Sequence, residues 1–249
     1  MKVKHILIVL LAVLLLAAAA GGCRILYELI KTRQVMMNPW FVSDRDTLGV
    51  DISEYQADVD MDALHAQGVR FAYIRATEGS SGVDERFAAN WEAAGKSGLV
   101  RGAYHFFSFD SPGETQAAHY IETVGSLDGC LIPAIDVEYY GDREQDPPRR
   151  EDVVRELGVL LQLLEEEYGA KPLIYASGRL YDTCLKGAFD DYPRWVRSVF
   201  YPVVFEAGNG WLVWQYSDRG ELEGYSGGER FIDLNILNRK YGLDALMIP

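Results

Sequence analysis

The stretch LIPAIDVEYY, residues 131–140, decides the fold, because an apolar run typical of a buried strand ends in two acids, Asp136 and Glu138. Residues i and i+2 of a strand point to the same face, with Cα atoms roughly 6 to 7 Å apart. An unpaired carboxylate on a buried face is costly. Either these acids cap loops or pair with arginines such as Arg75 or Arg101, or both acids lie in a site that uses their chemistry.

Apolar strand-like runs alternate with helix-like stretches on both sides of this one. The first five runs are LGVDIS, VRFAYIRATEG, LVRGAYHFF, LIPAIDVE and KPLIYAS, at intervals of about 30 residues, the length of one βα unit. Three later runs, RWVRSVF, WLVWQYS and FIDLNIL, have little helical pattern between the last two. The sequence therefore predicts an α/β fold, an irregular TIM-like barrel with about five βα units followed by three strands lacking regular helices.

Each run carries a polar group near its carboxyl end. In a parallel barrel these ends meet at one rim, where side chains far apart in the sequence converge. Neighbouring acids in a partly dry site have separated pKa values, so one can donate a proton while the other stays charged, as hydrolysis of a glycosidic bond requires. In chain order, the candidates for this site are Asp51, Glu78, His105, Asp136, Glu138, Tyr175, Trp214, Gln215 and Asp233.

Some of these side chains have a simpler structural explanation. His105 could hold a carboxylate or a sugar hydroxyl, but it is equally consistent with a hydrogen-bonded core histidine. Glu78 could bind sugar or close a turn before Gly79. Aromatic rings suit the C–H faces of sugars, yet in a core of this size they more often serve packing. The aromatic candidates are Tyr55, Tyr139, Trp195 and Trp214.

The charge balance excludes one class of partner. The chain has 37 Asp and Glu against 24 Lys and Arg, a net charge of -13, which repels phosphate backbones, so we expect no nucleic acid. Cys23, Cys130 and Cys184 form no CxxC pair and have no metal-ligand spacing. The cysteines therefore suggest neither a zinc or other metal site nor a disulfide scaffold. A bridge between Cys130 and Cys184 stays open as an alternative to buried free thiols.

Residues 1–23 predict a signal peptide or membrane anchor. Lys2 and Lys4 precede fifteen uninterrupted apolar residues, 6–20, a length that fits a signal-peptide core or, counted through Cys23, a span. The ending at Cys23 also loosely resembles a lipoprotein site. Each alternative places the rest of the chain on the extracellular face of the cytoplasmic membrane, or outside the cell if the segment is cleaved. We expect residues 24–47 to be a spacer and 48–249 to be one barrel domain, a monomer by default.

Seven motifs resemble, in order and spacing, those of glycoside hydrolase family 25. These are lysozymes that cleave peptidoglycan between N-acetylmuramic acid and N-acetylglucosamine. The motifs are DISEYQ (51–56), IRATEG (74–79), GAYHFF (102–107), AIDVE (134–138), IYAS (174–177), WQYS (214–217) and IDLN (232–235). The family fold, an irregular barrel of five βα units and three further strands, agrees with the rhythm described above.

The resemblance also implies roles for the site residues. Glu138 would be the general acid, and Asp136 would either steady the N-acetyl group of the substrate as it attacks or act as the nucleophile. Asp51 and Asp233 would be the remaining acids of the site. Peptidoglycan glycan strands would be the substrate, no cofactor would be needed, and the cleft would be lined by Glu78, Tyr175 and Gln215.

Three positions depart from the family pattern. Where a motif resembling W-x-A-x-Y is usual, residues 195–199 read WVRSV, so Arg197 replaces a small residue and an aromatic is lost. Arg75 stands where lysine is common. The altered strand keeps a second hypothesis open, a catalytically silent scaffold that binds cell-wall glycan. A third is a hydrolase of another N-acetylated glycan, such as chitin.

Overall fold

The computed structural model describes residues 2–208 and 210–249, and a closed β-barrel forms their centre. The strands are β1 (Leu48–Ile52), β2 (Val69–Glu78), β3 (Gly82–Val83), β4 (Val100–Phe106), β5 (Ala134–Val137), β6 (Leu173–Ser177), β7 (Arg194–Arg197), β8 (Val213–Gly220) and β9 (Ile232–Leu237). They pair in the order β1-β9-β8-β7-β6-β5-β4-β2, and the pairing of β1 with β2 closes the ring. β3 forms a hairpin with the end of β2. The α/β barrel predicted from the sequence is therefore confirmed.

Helices cover the first half of the barrel more completely than the second. A long helix α1 (Lys2–Lys31) precedes the barrel, and the first four crossovers hold α2 (Met61–Ala66), α3 (Phe87–Lys96), α4 (Gly113–Val124) and α5 (Arg150–Tyr168). After β6 the chain forms only α6 (Gly178–Leu180) and a π-helical turn (Tyr181–Leu185), and after β7 only α7 (Val204–Ala207). Short 3₁₀ turns span Asn38–Phe41, Glu54–Gln56 and Leu243–Leu246. Four regular crossover helices are thus present in the described residues, where the sequence predicted about five.

The last strand runs against the direction that the sequence analysis assumed. β9 is antiparallel to both β8 and β1, whereas the other neighbours in the ring are parallel. Asp233 therefore reaches the rim from the beginning of its strand and not from the carboxyl end. Its register places it opposite Asp51 on β1.

Successive side chains of each strand point alternately into the barrel interior and toward the layer under the helices. In β5, Ile135 and Val137 pack in the outer core, while Ala134 belongs to the interior cluster. The same period of two puts Asp136 on the interior face with Ala134. The interior is filled below the rim by large rings such as Phe71 and Tyr73, so the barrel is a packed core and not a pore.

A close approach between α4 and α5 requires Gly113. A Cβ at this buried position would lie 1.9 Å from the backbone oxygen of Glu156 and 3.1 Å from the nitrogen of Leu160. Because these are backbone atoms, the two helices would have to separate. The long helix α5 itself packs through one apolar face, which includes the buried Leu157, Leu160 and Leu164, and is capped at its carboxyl end by Gly169, whose φ is 68°.

We predict that Gly113→Ala lowers the free energy of unfolding by about 3 kcal/mol, the upper range for overpacking a tight contact. Gly158→Ala is the matched control, because a Cβ there meets nothing closer than a Phe189 ring atom at 3.8 Å. That change should stabilise α5 by about 0.5 to 1 kcal/mol. Urea denaturation followed by circular dichroism measures both, and equal midpoints for the two variants would contradict this account of the helix contact.

The carboxyl end of α1 and the segment that follows it pack on the barrel. Ile30 and Asn38 are buried, and the Asn38 amide donates to the backbone oxygens of Ser198 (2.7 Å) and Tyr216 (2.9 Å). Over Leu11–Lys31 the helix α1 is long and apolar enough to cross a membrane, and it is mostly exposed. The chain is thus held against the barrel wall soon after this apolar helix ends.

Candidate active site

A cleft of about 230 Å³ opens at the rim where the parallel strands end. It is lined by acids from three strands and by rings that rise from the barrel interior. The lining residues are Asp51, Ile52, Ser53, Tyr55, Gln56, Arg75, Tyr104, Phe106, Asp136, Glu138, Tyr175, Trp195, Glu229 and Asp233. The four acids singled out in the sequence are therefore brought together.

Asp136 and Glu138 project into this cleft from the end of β5. Among the described residues, Asp136 Oδ1 is buried and has no hydrogen-bond partner. Burial, reinforced by the charges of Glu138 and Asp51, raises the pKa of Asp136 well above its usual range. Burial also raises the pKa of Glu138, against the opposing effect of the Arg197 guanidinium. This acid pair thus combines Glu138 with a buried Asp136 whose Oδ1 has no hydrogen-bond partner among the described residues, and burial disfavours the charged form of both acids.

Asp51 and Asp233 form the second acid pair, across β1 and β9. Asp51 Oδ1 accepts hydrogen bonds from Asn235 Nδ2 at 2.6 Å and Gln215 Nε2 at 3.3 Å. Burial raises the pKa of Asp51, although these amide donors favour its charged form. Burial, the charges of Asp51 and Asp218 and a hydrogen bond to Asp51 raise the pKa of Asp233 to about 9. Asp233 is therefore the partner that holds the proton.

A second layer of hydrogen bonds fixes the amides that serve Asp51. The Tyr175 hydroxyl donates to Gln215 Oε1 at 2.9 Å, and Trp195 Nε1 donates to Asn235 Oδ1 at 2.8 Å. With both carbonyl oxygens occupied, both NH₂ groups are turned toward Asp51. The Tyr175 and Trp195 rings meet edge to face, with centroids 4.9 Å apart. The orientation of Asp51 is thus set by packed aromatic residues.

The arginines do not neutralise the β5 acid pair. Arg75 binds Glu54 at 2.6 Å and the buried Asp84 at 2.9 Å. Arg101 lies over the Trp91 ring, 4.2 Å from its centroid. Arg75 and Arg101 are therefore bound to other groups, although the charge of Arg75 still acts on Asp136.

Arg197 is the cation that approaches this pair most closely in the described part of the chain. Its Nε lies 3.9 Å from Glu138 Oε1, beyond hydrogen-bond distance, and its Nη2 lies 3.1 Å from Asp218 Oδ2. The guanidinium therefore acts on Glu138 through charge, while its hydrogen bond goes to Asp218.

The described residues contain no group of three or more His, Cys, Asp or Glu side chains arranged to hold a metal ion. Of the cleft acids, Asp51 and Asp233 partner each other, and Asp51 also accepts hydrogen bonds from the amides of Gln215 and Asn235. Such a site suits acid–base chemistry on a neutral substrate, since its carboxyls differ in protonation while remaining close together.

Comparison with known proteins agrees with this geometry. A family model described as Glycosyl hydrolases family 25 matches residues 50–225. The chain belongs to this family. A family 25 glycosyl hydrolase from Bacillus anthracis has a solved structure that superposes with a TM-score of 0.73 at 45% identity, covering 80% of this chain and 93% of that one.

Two curated relatives are similar over most of the barrel. Uncharacterized protein YegX of Escherichia coli strain K12 is 34% identical over 195 residues, which is 76% of this chain and 69% of that protein. Lysozyme M1 of Streptomyces globisporus is 30% identical over 192 residues, 72% of this chain and 64% of that protein. As a member of glycosyl hydrolase family 25, the protein is a glycoside hydrolase with the barrel fold of that family.

Four of the residues expected to line the family 25 cleft do not line it: His105, Trp214 and Glu78 lie outside it, and Gln215 is buried beneath it. His105 is fully buried under α4, bonded to Thr77 at 2.8 Å and Gln116 at 3.0 Å, and burial lowers its pKa to about 4. Trp214 faces the outer core and donates to the Ser198 oxygen. Glu78 is exposed at the β3 hairpin and does not line the cleft. The core-histidine alternative for His105 is therefore the correct one.

The alternation of side chains along a strand explains why these predictions were wrong and why other cleft residues were not predicted. In GAYHFF, Tyr104 and Phe106 line the cleft, whereas His105, between them, must point outward. Likewise Gln215 faces inward beneath the cleft, while its neighbour Trp214 faces outward. Asn235 was also missed, although IDLN places it two residues after Asp233 and hence on the same face.

Proposed function

We propose that this glycoside hydrolase is a muramidase, which cleaves the β-1,4 bond between N-acetylmuramic acid and N-acetylglucosamine in peptidoglycan with Glu138 as general acid. The observation that supports the proposal is the pair at the end of β5, in which the partly exposed acid Glu138 accompanies a buried Asp136 whose Oδ1 has no hydrogen-bond partner among the described residues. The similarity to lysozyme M1 of Streptomyces globisporus supports the substrate class.

Glu138 is suited to protonate the leaving sugar oxygen. Its side chain is 35% exposed, so it can reach a bound glycan, and its raised pKa keeps more of it protonated than an ordinary glutamate. A general acid works best when its pKa lies near the working pH. The proton passes from Glu138 to the glycosidic oxygen as the bond to the anomeric carbon breaks, leaving Glu138 charged and stabilised by Arg197.

Asp136 is suited to the charge that develops on the sugar. A buried acceptor without a partner is costly, and an N–H of a bound N-acetyl group would satisfy Asp136 Oδ1. In that case the acetamido oxygen attacks the anomeric carbon. The competing mechanism has Asp136 itself form the covalent bond.

The other cleft residues would hold the glycan. Tyr55 is 54% exposed at the cleft wall and offers a ring face to a sugar, with Arg75 behind it, 5.4 Å from the ring centroid. Gln56 Nε2 donates a hydrogen bond to Glu229 Oε2 at 3.3 Å, and both residues add polar groups to the cleft lining. Asp51, oriented by Gln215 and Asn235, would tune the charge of the site.

The test is product analysis. The segment from about residue 33 to 249 is incubated with purified peptidoglycan, and the released fragments are reduced with borohydride and identified by mass spectrometry. We expect fragments that end in reduced muramic acid. Fragments ending in reduced glucosamine would place the cut at the other glycosidic bond and contradict the proposal.

Chitin oligomers serve as the parallel substrate. Faster release of reducing ends from chitin than from peptidoglycan would favour the alternative hydrolase, since chitin lacks the lactyl group of muramic acid. Tight binding to glycan with no new reducing ends at any pH would favour the silent scaffold and direct attention to Arg197.

We further propose that α1 anchors the enzyme on the extracellular face of the membrane. The 21 residues Leu11–Lys31 are long enough to span the hydrocarbon core at 1.5 Å per residue. The mass of the chain extracted from membranes separates this proposal from signal cleavage or lipidation at Cys23, each of which would change the mass at the amino terminus.

A further inference from the structure

We propose that Arg33, just after α1, is a positioning residue for the active site: by occupying one oxygen of Asp218, it leaves Arg197 directed at Glu138. The inference rests on the proposed role of Glu138 as the general acid. It makes the junction with the apolar helix a part of the catalytic machinery.

A continuous set of contacts joins the two residues. Arg33 Nη1 forms an ion pair with Asp218 Oδ1, and Arg197 Nη2 lies 3.1 Å from the other oxygen, Oδ2. Arg197 Nε in turn lies 3.9 Å from Glu138 Oε1. The carboxylate of Asp218 is therefore shared by the guanidiniums of Arg33 and Arg197. Together these three groups carry a net charge of about +1, which lies on the side of Arg197 near Glu138.

Arg33 is held in place by more than its charge. Its guanidinium carbon lies 4.5 Å from the centroid of the Phe200 ring, on the loop that follows β7. The side chains of Arg33 and Asp218 are only 21% and 18% exposed, so the pair is partly shielded from water and salt. The contact is thus better protected than an ordinary surface ion pair.

The backbone at Arg33 gives independent support. Its φ is 58°, the left-handed region that favours glycine, where the chain turns out of α1 with hydrogen bonds back to Ile30 and Leu29. A non-glycine residue is retained in this conformation when the surrounding contacts over-determine it. Here those contacts are the ones the side chain makes with Asp218 and Phe200.

The direction of the effect follows from how Asp218 is shared. Without Arg33, Asp218 would be paired with Arg197 alone and would neutralise more of its charge. Glu138 would then experience a less positive potential and would keep its proton to higher pH. Without the charge of Asp218, Arg197 would be free to pair with Glu138, which would lose its proton at lower pH. The other charged or titratable groups around these residues are Asp51, Asp136, Tyr175, Glu206 and Asp233.

The experiment is the pH dependence of kcat/KM on peptidoglycan, measured with the full chain in detergent micelles. The alkaline limb reports the group that must be protonated in the free enzyme. We expect Arg33→Gln to move this limb up by about half a pH unit, and Asp218→Asn to move it down by a similar amount. Arg33→Lys, which keeps the charge, should restore most of the wild-type limb.

Lys31→Gln is the matched control, because it removes the same charge two residues earlier, at a side chain that forms no ion pair among the described residues. In an Arg197→Gln background, Arg33→Gln should no longer move the limb, since its effect passes through Arg197. An alkaline limb unchanged in Arg33→Gln, or moved equally by Lys31→Gln, would overturn the inference.

Two further outcomes distinguish a failure of the proposed role of Arg33 from a failure of the proposed role of Glu138. If Glu138→Gln keeps full activity, the proposed function fails and the limb belongs to another group. If Glu138→Gln is inactive while Arg33→Gln and Asp218→Asn shift the limb in the same direction, only the role of Arg33 fails. Thermal unfolding of each variant shows whether a loss of rate reflects a loss of folded protein.

Discussion

Glu138→Gln is expected to lower kcat/KM on peptidoglycan by about 10³-fold, within the range for loss of a general acid. Glutamine keeps the shape of the side chain but has no proton to give to the leaving oxygen. The fold should persist, because burial disfavours the charged form of Glu138 and a neutral amide removes that cost. Reducing-end assays at several pH values give the rate, and circular dichroism gives the fold.

A substrate with a better leaving group tests the role more sharply. An aryl glycoside departs without full protonation, so Glu138→Gln should lose far less activity on it than on peptidoglycan. Glu78→Gln is the control, since Glu78 also lies at the end of an apolar strand but outside the cleft. Equal losses on both substrates would indicate that Glu138 supports the structure of the cleft and does not donate a proton.

The pH dependence has a defined sign. Glu138 must be protonated to act, so the rate should fall as pH rises through its pKa, which burial raises above the ordinary glutamate value. The same loss should not be seen in the Glu138→Gln residual rate on the aryl substrate, because that reaction needs no proton from this position.

Much of the fold could be predicted from local patterns. Apolar runs at about 30-residue intervals identify the barrel strands, and the stripe in α5 identifies the helix that packs on them. The direction of β9 also left a signal that the sequence analysis did not use. Parallel neighbours need a crossover of a dozen or more residues, usually helical, and the stretch before β9 has little helical pattern.

The site was only partly predictable. The end of a strand shows that a residue lies at the rim of the barrel, but it does not show whether the side chain points into the barrel or toward the helices. Asp136 and Glu138 share a face by spacing alone, and that inference transfers directly to the structure. His105 ends a strand too, yet it lies one residue out of phase with Tyr104 and Phe106 and so faces α4. Assigning alternate residues of each motif to the barrel interior would have excluded His105 from the cleft.

Contacts between distant segments had no sequence signal. Arg33 and Asp218 are 185 positions apart, and neither belongs to a periodic pattern that the other shares. Arg197 was visible only as a departure from the family motif, and its partners depend on how β7, β8 and the segment after α1 come together. Such pairings are set by tertiary packing, which single-sequence patterns do not record.

Asp136→Asn is expected to lower kcat by about 10² to 10⁴-fold while raising the stability of the fold. The carboxylate is buried beside Glu138 and Asp51 with an unpartnered oxygen, so its charged form is disfavoured in the folded state. An amide removes that cost, and the gain should be about 1 to 2 kcal/mol at neutral pH. The acid at position 136 is therefore expected to lower the stability of the fold while serving the reaction.

The sign of the pH effect follows from the raised pKa. A carboxyl whose folded pKa lies above its unfolded value favours the folded state at low pH, and this contribution is lost as pH rises from the unfolded value toward the folded one. The stability advantage of Asp136→Asn over the wild type should therefore be small near pH 4 and grow toward neutrality. An advantage independent of pH would show that packing, and not the charge of Asp136, is responsible.

Comparison of two substitutions separates the mechanisms open to Asp136. If the substrate's own acetamido oxygen attacks the anomeric carbon, Asp136 only accepts the amide N–H, and the carbonyl oxygen of asparagine can still accept it. Asp136→Asn should then retain distinctly more activity than Asp136→Ala. If Asp136 is the nucleophile, neither side chain can form the covalent bond, and both variants should be equally inactive. Because Asp136 Oδ1 has no partner among the described residues and lies beside the proton donor, we expect the first pattern.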